Sequence, residues 1–83
     1  MTYQVAVVGT GDPAQPDRYA MAYLHAEGYA RLDSCELLAC ADIVEENAET
    51  FATAFDIDLS HVYQDYKQLL TETTPDIVSV CTP

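Results

Sequence analysis

The chain is short and strongly acidic: its 83 residues carry fourteen Asp and Glu against three Lys and Arg, a net charge of −11. A chain of this size makes one domain at most and buries only about 60–65% of the surface its unfolded form exposes. That charge repels nucleic acid and anionic lipid, and no apolar run approaches membrane-spanning length, so neither is an expected partner.

The apolar fraction of 49% is that of a globular protein. Cys35, Cys40 and Cys81 are odd in number and lack CxxC spacing. They read as reduced thiols of a cytoplasmic protein, with no zinc site. No basic segment precedes an apolar one near Met1, so no signal peptide is expected. The acids are scattered and do not form a tail. Such a surplus fits life at high salt, where the Debye length falls to about 3 Å at 1 M and self-repulsion fades. An ordinary acidic cytosolic protein is the other reading.

Tyr3 to Val8 is short, Val-rich and nearly all apolar, as in a strand buried in a parallel sheet. Gly9-Thr10-Gly11 ends it, and Asp12 to Asp17 is turn chemistry with two prolines. From Tyr19 the apolar period is helical, through Ala22, Tyr23, Ala26 and Tyr29 or Ala30, to an end near Leu32. Asp17 is its expected N-cap, with Pro16 suited to the first turn. Asp12, with Gln15 three residues on, is a rival cap that Pro16 disfavours.

Glu36 to Ala41 is a second strand, with Asp42 at its end. Glu45 to Phe55 is a second helix, acidic in its first turn as the helix dipole favours, with Ala48, Phe51, Ala52 and Phe55 apolar. His61-Val62-Tyr63 is a short third strand, with His61 at its edge. Asp65 caps a third helix over Tyr66 to Glu72 that turns Leu69 and Leu70 inward. Asp76 to Cys81 is the fourth strand. This alternation predicts an α/β fold: a partial doubly wound parallel sheet of order 3-2-1-4, joined by right-handed crossovers and stopping after the fourth strand.

A Gly-rich turn between a first strand and a helix lets backbone N–H groups approach a pyrophosphate. Gly9 permits the tight turn and Gly11 the close approach, with Thr10 between them. An acid ending the second strand accepts hydrogen bonds from ribose hydroxyls, and Asp42 holds that place. It comes later than the usual spacing of about 20 residues, so the loop carries an insertion. A plain turn with a solvated strand end is the bland alternative. Cys81 reads as a core thiol, with no His or other base beside it. The six Tyr read as packing residues with wet hydroxyls, and Glu45, Glu46 and Glu49 as a solvated helix start.

The segments "VAVVGTG", "LHAEGYARLDSCELLACAD", "NAETFATAFDI", "VYQDYKQLL" and "PDIVSVCTP" together resemble the N-terminal half of the glucose–fructose oxidoreductase/inositol dehydrogenase (Gfo/Idh/MocA) family. Fitting His25 to the family's G-x-G-x-x-G-x-x-H pattern puts Ala22 at the third Gly and leaves about eight additional residues after Gly11. Asp12 and Asp17 in that insertion are unwelcome near a pyrophosphate, and Arg18 offsets one of them. The resemblance implies an incomplete nucleotide-binding domain over residues 1–83, with the substrate domain absent. The family's catalytic Lys and its other proton-transfer groups would lie beyond Pro83, so no catalytic residue is assigned here.

The implied cofactor is NAD, and the implied reaction is hydride transfer to or from a sugar, polyol or related carbonyl. Gly9, Thr10 and Gly11 would contact pyrophosphate, and Asp42 would bind adenosine ribose with Ile43 beside it. Thr82 and Pro83 would lie near the nicotinamide, since ligands bind beyond the carboxyl ends of the strands. NADP is disfavoured: Asp42 repels a 2′-phosphate, and Ile43-Val44-Glu45-Glu46 offers no cation. A homo-oligomer is compatible with this reading. Two other readings stand beside it, an S-adenosylmethionine-dependent methyltransferase domain and a non-catalytic fragment.

Overall fold

The computed structural model describes residues 2–12, 14 and 16–81, and for residues 16–20 the backbone only. Four strands, β1 (Tyr3–Val8), β2 (Cys35–Ala41), β3 (Val62–Tyr63) and β4 (Ile77–Val80), form one sheet of order β3-β2-β1-β4. All three pairings are parallel. Three helices, α1 (Pro16–Ala30), α2 (Glu45–Ala54) and α3 (Tyr66–Thr73), connect them. The predicted fold class and strand order are thus observed.

Pairing continues past the strand ends at their carboxyl side. The Gly9 N–H donates to the Ala41 carbonyl at 2.8 Å, Asp42 N–H to Tyr63 O at 3.0 Å, and Cys81 N–H to Val8 O at 2.8 Å. One irregularity sets this alignment. Val5 pairs with Leu37 but Ala6 pairs with Ala39, so Leu38 is an extra residue in β2. A bulge of this kind re-aims the side chains beyond it. Here it brings Cys40 opposite Val7 and Ala41 opposite Val8, leaving Asp42 level with the turn after β1.

The two sheet faces bury separate clusters. On one, Val7 and Cys40 meet Ala22 and Ala26 of α1 and Ala48, Phe51 and Ala52 of α2. The Ala positions let both helices lie close to the strands, and Phe51 is the largest fully buried side chain among the described residues. The Tyr23 ring meets Phe51 edge-on, with centroids 5.0 Å apart, and Phe55 at 5.8 Å. On the other face Leu69 of α3 packs with Ala6, Ala39, Ala41 and Tyr63.

Several local expectations change. Pro16 is the first residue of α1, a position where its missing N–H costs nothing, so Asp17 lies inside the helix and does not cap it. Pro13 and Gln15, part of the expected turn and rival cap, lie outside the described residues. Asp12 instead closes a small turn of its own, its Oδ1 accepting from Ala14 N–H at 2.9 Å. The α1 helix ends at Ala30, two residues before Leu32, and it is Tyr29 that turns inward while Ala30 is exposed. His61 belongs to a 3₁₀ turn, Leu59–His61, because Asp58 caps that turn and β3 starts only at Val62.

The Asp65 cap forms as expected, its Oδ1 accepting from Lys67 N–H at 2.8 Å. Leu70 does not turn inward. It is 39% exposed, because so short a helix has one apolar stripe and Leu69 fills it. Glu45, Glu46 and Glu49 are exposed. The tyrosine hydroxyls are less wet than expected. That of Tyr29 pairs with Ser79 Oγ at 2.9 Å, that of Tyr63 donates to Glu72 at 3.4 Å, and that of Tyr23 is buried without a partner.

Cys40 is fully buried and donates its S–H to the Ala48 carbonyl at 3.4 Å. Burial, with Asp42 nearby, pushes its thiol from an ordinary 9.0 up to about 12. The unfolded chain then loses the proton first as pH rises, so Cys40 leaves stability unchanged below about pH 9 and lowers it between about pH 9 and 12. Unfolding midpoints of the wild type should therefore fall over that window more steeply than those of C40A. Equal slopes would mean that the thiol is open to solvent.

Candidate functional site

The site is built where the carboxyl ends of β1, β2 and β4 meet. Gly9 and Gly11 adopt φ of 85° and 75°. A side chain in that left-handed region costs roughly 1–2 kcal/mol, which is why glycine stands at both positions. Between them Thr10 is fully buried, an unusual place for a polar residue on a turn.

Asp42 explains that burial. Its Oδ2 accepts from the Gly11 N–H at 3.0 Å and from the Thr10 hydroxyl at 3.3 Å. Its Oδ1 accepts from Val44 N–H at 2.8 Å, closing the turn that leads into α2. A carboxylate offers about four acceptor sites. Three donors of the chain occupy Asp42, which leaves room for about one more.

Ile43, next along, is 86% exposed, and its carbonyl accepts from the Gln64 side chain at 3.5 Å. Thr82 and Pro83 lie outside the described residues, as does the side chain of Arg18. The Gly turn, Asp42 and Ile43 are therefore brought together at one edge of the sheet, and Cys81 arrives there through its bond to Val8.

Cys81 is accompanied by a base after all. Its Sγ lies 3.5 Å from His25 Nδ1. The reading of an isolated thiol fails because the pair is tertiary: His25 comes from α1 and Cys81 from the end of β4, and no local spacing reports it. Burial pushes the Cys81 thiol up, so the sulfur is a neutral thiol at neutral pH. Among the described residues, no group of three or more His, Cys, Asp or Glu could hold a metal ion. A polar cleft beside β3 is lined by Glu45, Asp65 and Glu72, three carboxylates unsuited to a phosphate, and by none of the residues at the Gly turn. No helix among the described residues is long and apolar enough to cross a membrane.

The arrangement fits a dinucleotide. Glycine at positions 9 and 11 permits close approach of a pyrophosphate, α1 starts beyond the turn, and a half-buried carboxylate sits at the second strand's end.

Comparison with known proteins agrees. The family described as "Oxidoreductase family, NAD-binding Rossmann fold" matches residues 3–83. Among solved structures, the chain is similar to myo-inositol dehydrogenase from Lactobacillus casei in complex with NAD(H) and myo-inositol. The identity is 30% and the TM-score 0.78, over 99% of this chain and 22% of that one. It is also similar to scyllo-inositol dehydrogenase from the same organism, with bound NAD(H) and scyllo-inositol, at 18% identity and TM-score 0.79, over 100% of this chain and 22% of that one. An NAD-binding protein from Listeria innocua gives 25% identity and TM-score 0.73, over 100% and 21%. The chain thus spans about a fifth of the length of these structures. No curated protein gives a significant sequence match. With the Gly turn and the strand order in place, the match over residues 3–83 shows that the chain belongs to the Gfo/Idh/MocA oxidoreductase family, as its NAD-binding Rossmann domain.

Proposed function

We propose that residues 1–83 are part of an N-terminal dinucleotide-binding domain, serving an enzyme that transfers hydride between nicotinamide and a sugar, polyol or related carbonyl. The observation that carries the reading is the Asp42 carboxylate clasped to the Gly9–Gly11 turn at the carboxyl edge of a parallel sheet. The inositols bound by the two Lactobacillus casei enzymes support the substrate class. When bound, NAD supplies the hydride acceptor. The chain's own residues bind and orient it: Gly9 and Gly11 flank the pyrophosphate with the enclosed Thr10 between them, Asp42 receives a ribose hydroxyl, and Ile43 borders the adenosine. Thr82 and Pro83 are assigned to the nicotinamide end. No residue of this stretch is assigned to proton transfer.

Asp42 also disfavours NADP, because a 2′-phosphate would stand against its carboxylate and no cation follows it in sequence. Calorimetric titration tests this. NAD should bind more tightly than NADP by at least about fivefold, as a like-charge contact of roughly 1–4 kcal/mol implies. S-adenosylmethionine, the ligand of the rival reading, should not bind. Equal affinity for NAD and NADP would remove Asp42 from this role, and tight S-adenosylmethionine binding would replace the reading.

The charge of −11 suits a cytoplasm of high salt, where self-repulsion is screened. Unfolding curves should then show higher stability in molar KCl than at low salt, and full stability at low salt would contradict this. The β4 strand is an edge, and Val78 and Val80 stand exposed on it, Val80 at 66%. Unpaired edges of this kind recruit other strands, while net charge keeps copies apart at low salt. Self-association of the 83-residue chain should therefore rise along a KCl series in sedimentation. A monomer at every concentration would show that the edge is protected.

A further inference from the structure

Thr10 is not explained by the shape of its turn. Its neighbours Gly9 and Gly11 are required by backbone conformation, but position 10 is not. Yet it carries a hydroxyl, it is 0% exposed, and that hydroxyl is spent on one atom, Asp42 Oδ2. A ligand cannot reach a side chain so enclosed. Its effect on a ligand must pass through Asp42.

We propose that Thr10 is a positioning residue whose hydroxyl fixes the Asp42 carboxylate, and through it the discrimination between NAD and NADP. The inference rests on the dinucleotide reading given above. The physical basis is a division of labour at one carboxylate. Oδ1 is held by Val44 N–H at 2.8 Å and Oδ2 by Gly11 N–H at 3.0 Å and Thr10 at 3.3 Å. One backbone donor sets the position of each oxygen. The third donor, from the turn's buried side, consumes a lone pair of Oδ2 and orients the remaining acceptor capacity toward the open side of the site. A carboxylate held this way meets a ribose hydroxyl without reorganising, and it cannot swing aside to admit a 2′-phosphate. Released from Thr10, it does both less well.

The test uses T10V, which keeps the branched shape and loses the donor, with T10S as rescue and T10A as a second donorless variant of lower packing demand. Circular dichroism and denaturant midpoints first identify which variants fold. The 83-residue chain is then titrated with NAD and NADP. In T10V or T10A, NAD affinity should fall about tenfold, the scale of a hydrogen bond to a charged group. The preference for NAD over NADP should narrow at least about threefold, because the loss falls on the acceptor that tells them apart. T10S should keep both affinity and preference. In a D42N background, T10V should no longer alter the preference, since residues acting through one group are not additive. Equal losses for both cofactors, with preference intact, would reduce Thr10 to a packing residue and overturn the proposal. Full affinity in both donorless variants would overturn it too. Absence of NAD binding by the wild type would instead defeat the underlying cofactor reading, so the two failures are told apart.

Discussion

The Asp42 carboxylate is the constraint on which the ligand-facing edge of this domain depends. It ties the Gly turn after β1 to the end of β2, 31 residues away in sequence, and to the adjoining start of α2. Removing it would strand the buried Thr10 hydroxyl and the part-buried Gly11 N–H, while the exposed Val44 N–H would turn to water. A buried donor without a partner costs about 1–3 kcal/mol. In a domain this small that is a large part of the total stability. The clasp in turn needs the Leu38 bulge, which advances β2 by one residue, and the parallel register that sets Ala41 beside Val8. The proposed binding geometry and the stability of the fold therefore share one group.

Packing beneath the clasp depends on small side chains. Ala22 and Ala26 of α1 and Ala48 and Ala52 of α2 let the helices approach β1 and β2 closely. The volume they do not fill is taken by Phe51, with Tyr23 and Phe55 around it. Truncating one such aromatic ring in a core costs about 3–5 kcal/mol. The cluster is therefore the counterpart of the clasp: one holds the helices to the sheet, the other holds the edge where a ligand arrives.

Much of this was legible in the sequence, for identifiable reasons. Strand and helix succession came through because Val5 to Val8 and Leu37 to Ala41 are nearly continuous apolar runs, while Ala48, Phe51 and Ala52 repeat at helical spacing. The Asp65 cap was legible because its partner, Lys67, is two residues away. Features that depend on distant parts of the chain escaped. The Leu38 bulge is a matter of how β2 registers against β1, 32 residues away. The His25–Cys81 pair joins α1 to β4. At the site, Gly9, Gly11 and Asp42 could be chosen by type and order. That Asp42 spends most of its acceptor capacity on the chain itself could not be seen, because it is a consequence of register. Nor could the role of the Thr10 hydroxyl, since a turn residue is expected to face water.

An acidic chain that takes a pyrophosphate has to separate two scales of electrostatics. At long range its surplus of carboxylates opposes any anion, and this term is screened beyond about 8–10 Å at ordinary ionic strength and sooner in strong brine. At contact range the outcome depends on donors at the turn. The exposed Lys67 and Arg31 lie on α3 and just past the end of α1 and do not supply them. The Gly9 and Gly11 N–H groups are already given to Ala41 and Asp42, so under the proposed reading the partial positive charge at the start of α1 supplies them. The inserted segment obeys the same division. Asp12 carries a charge next to the turn, yet its carboxylate is committed to Ala14 N–H within its own small loop. Its local bonding is satisfied while its long-range field is left to the solvent ions. An acidic surface is in this way compatible with the proposed anion site at the start of α1.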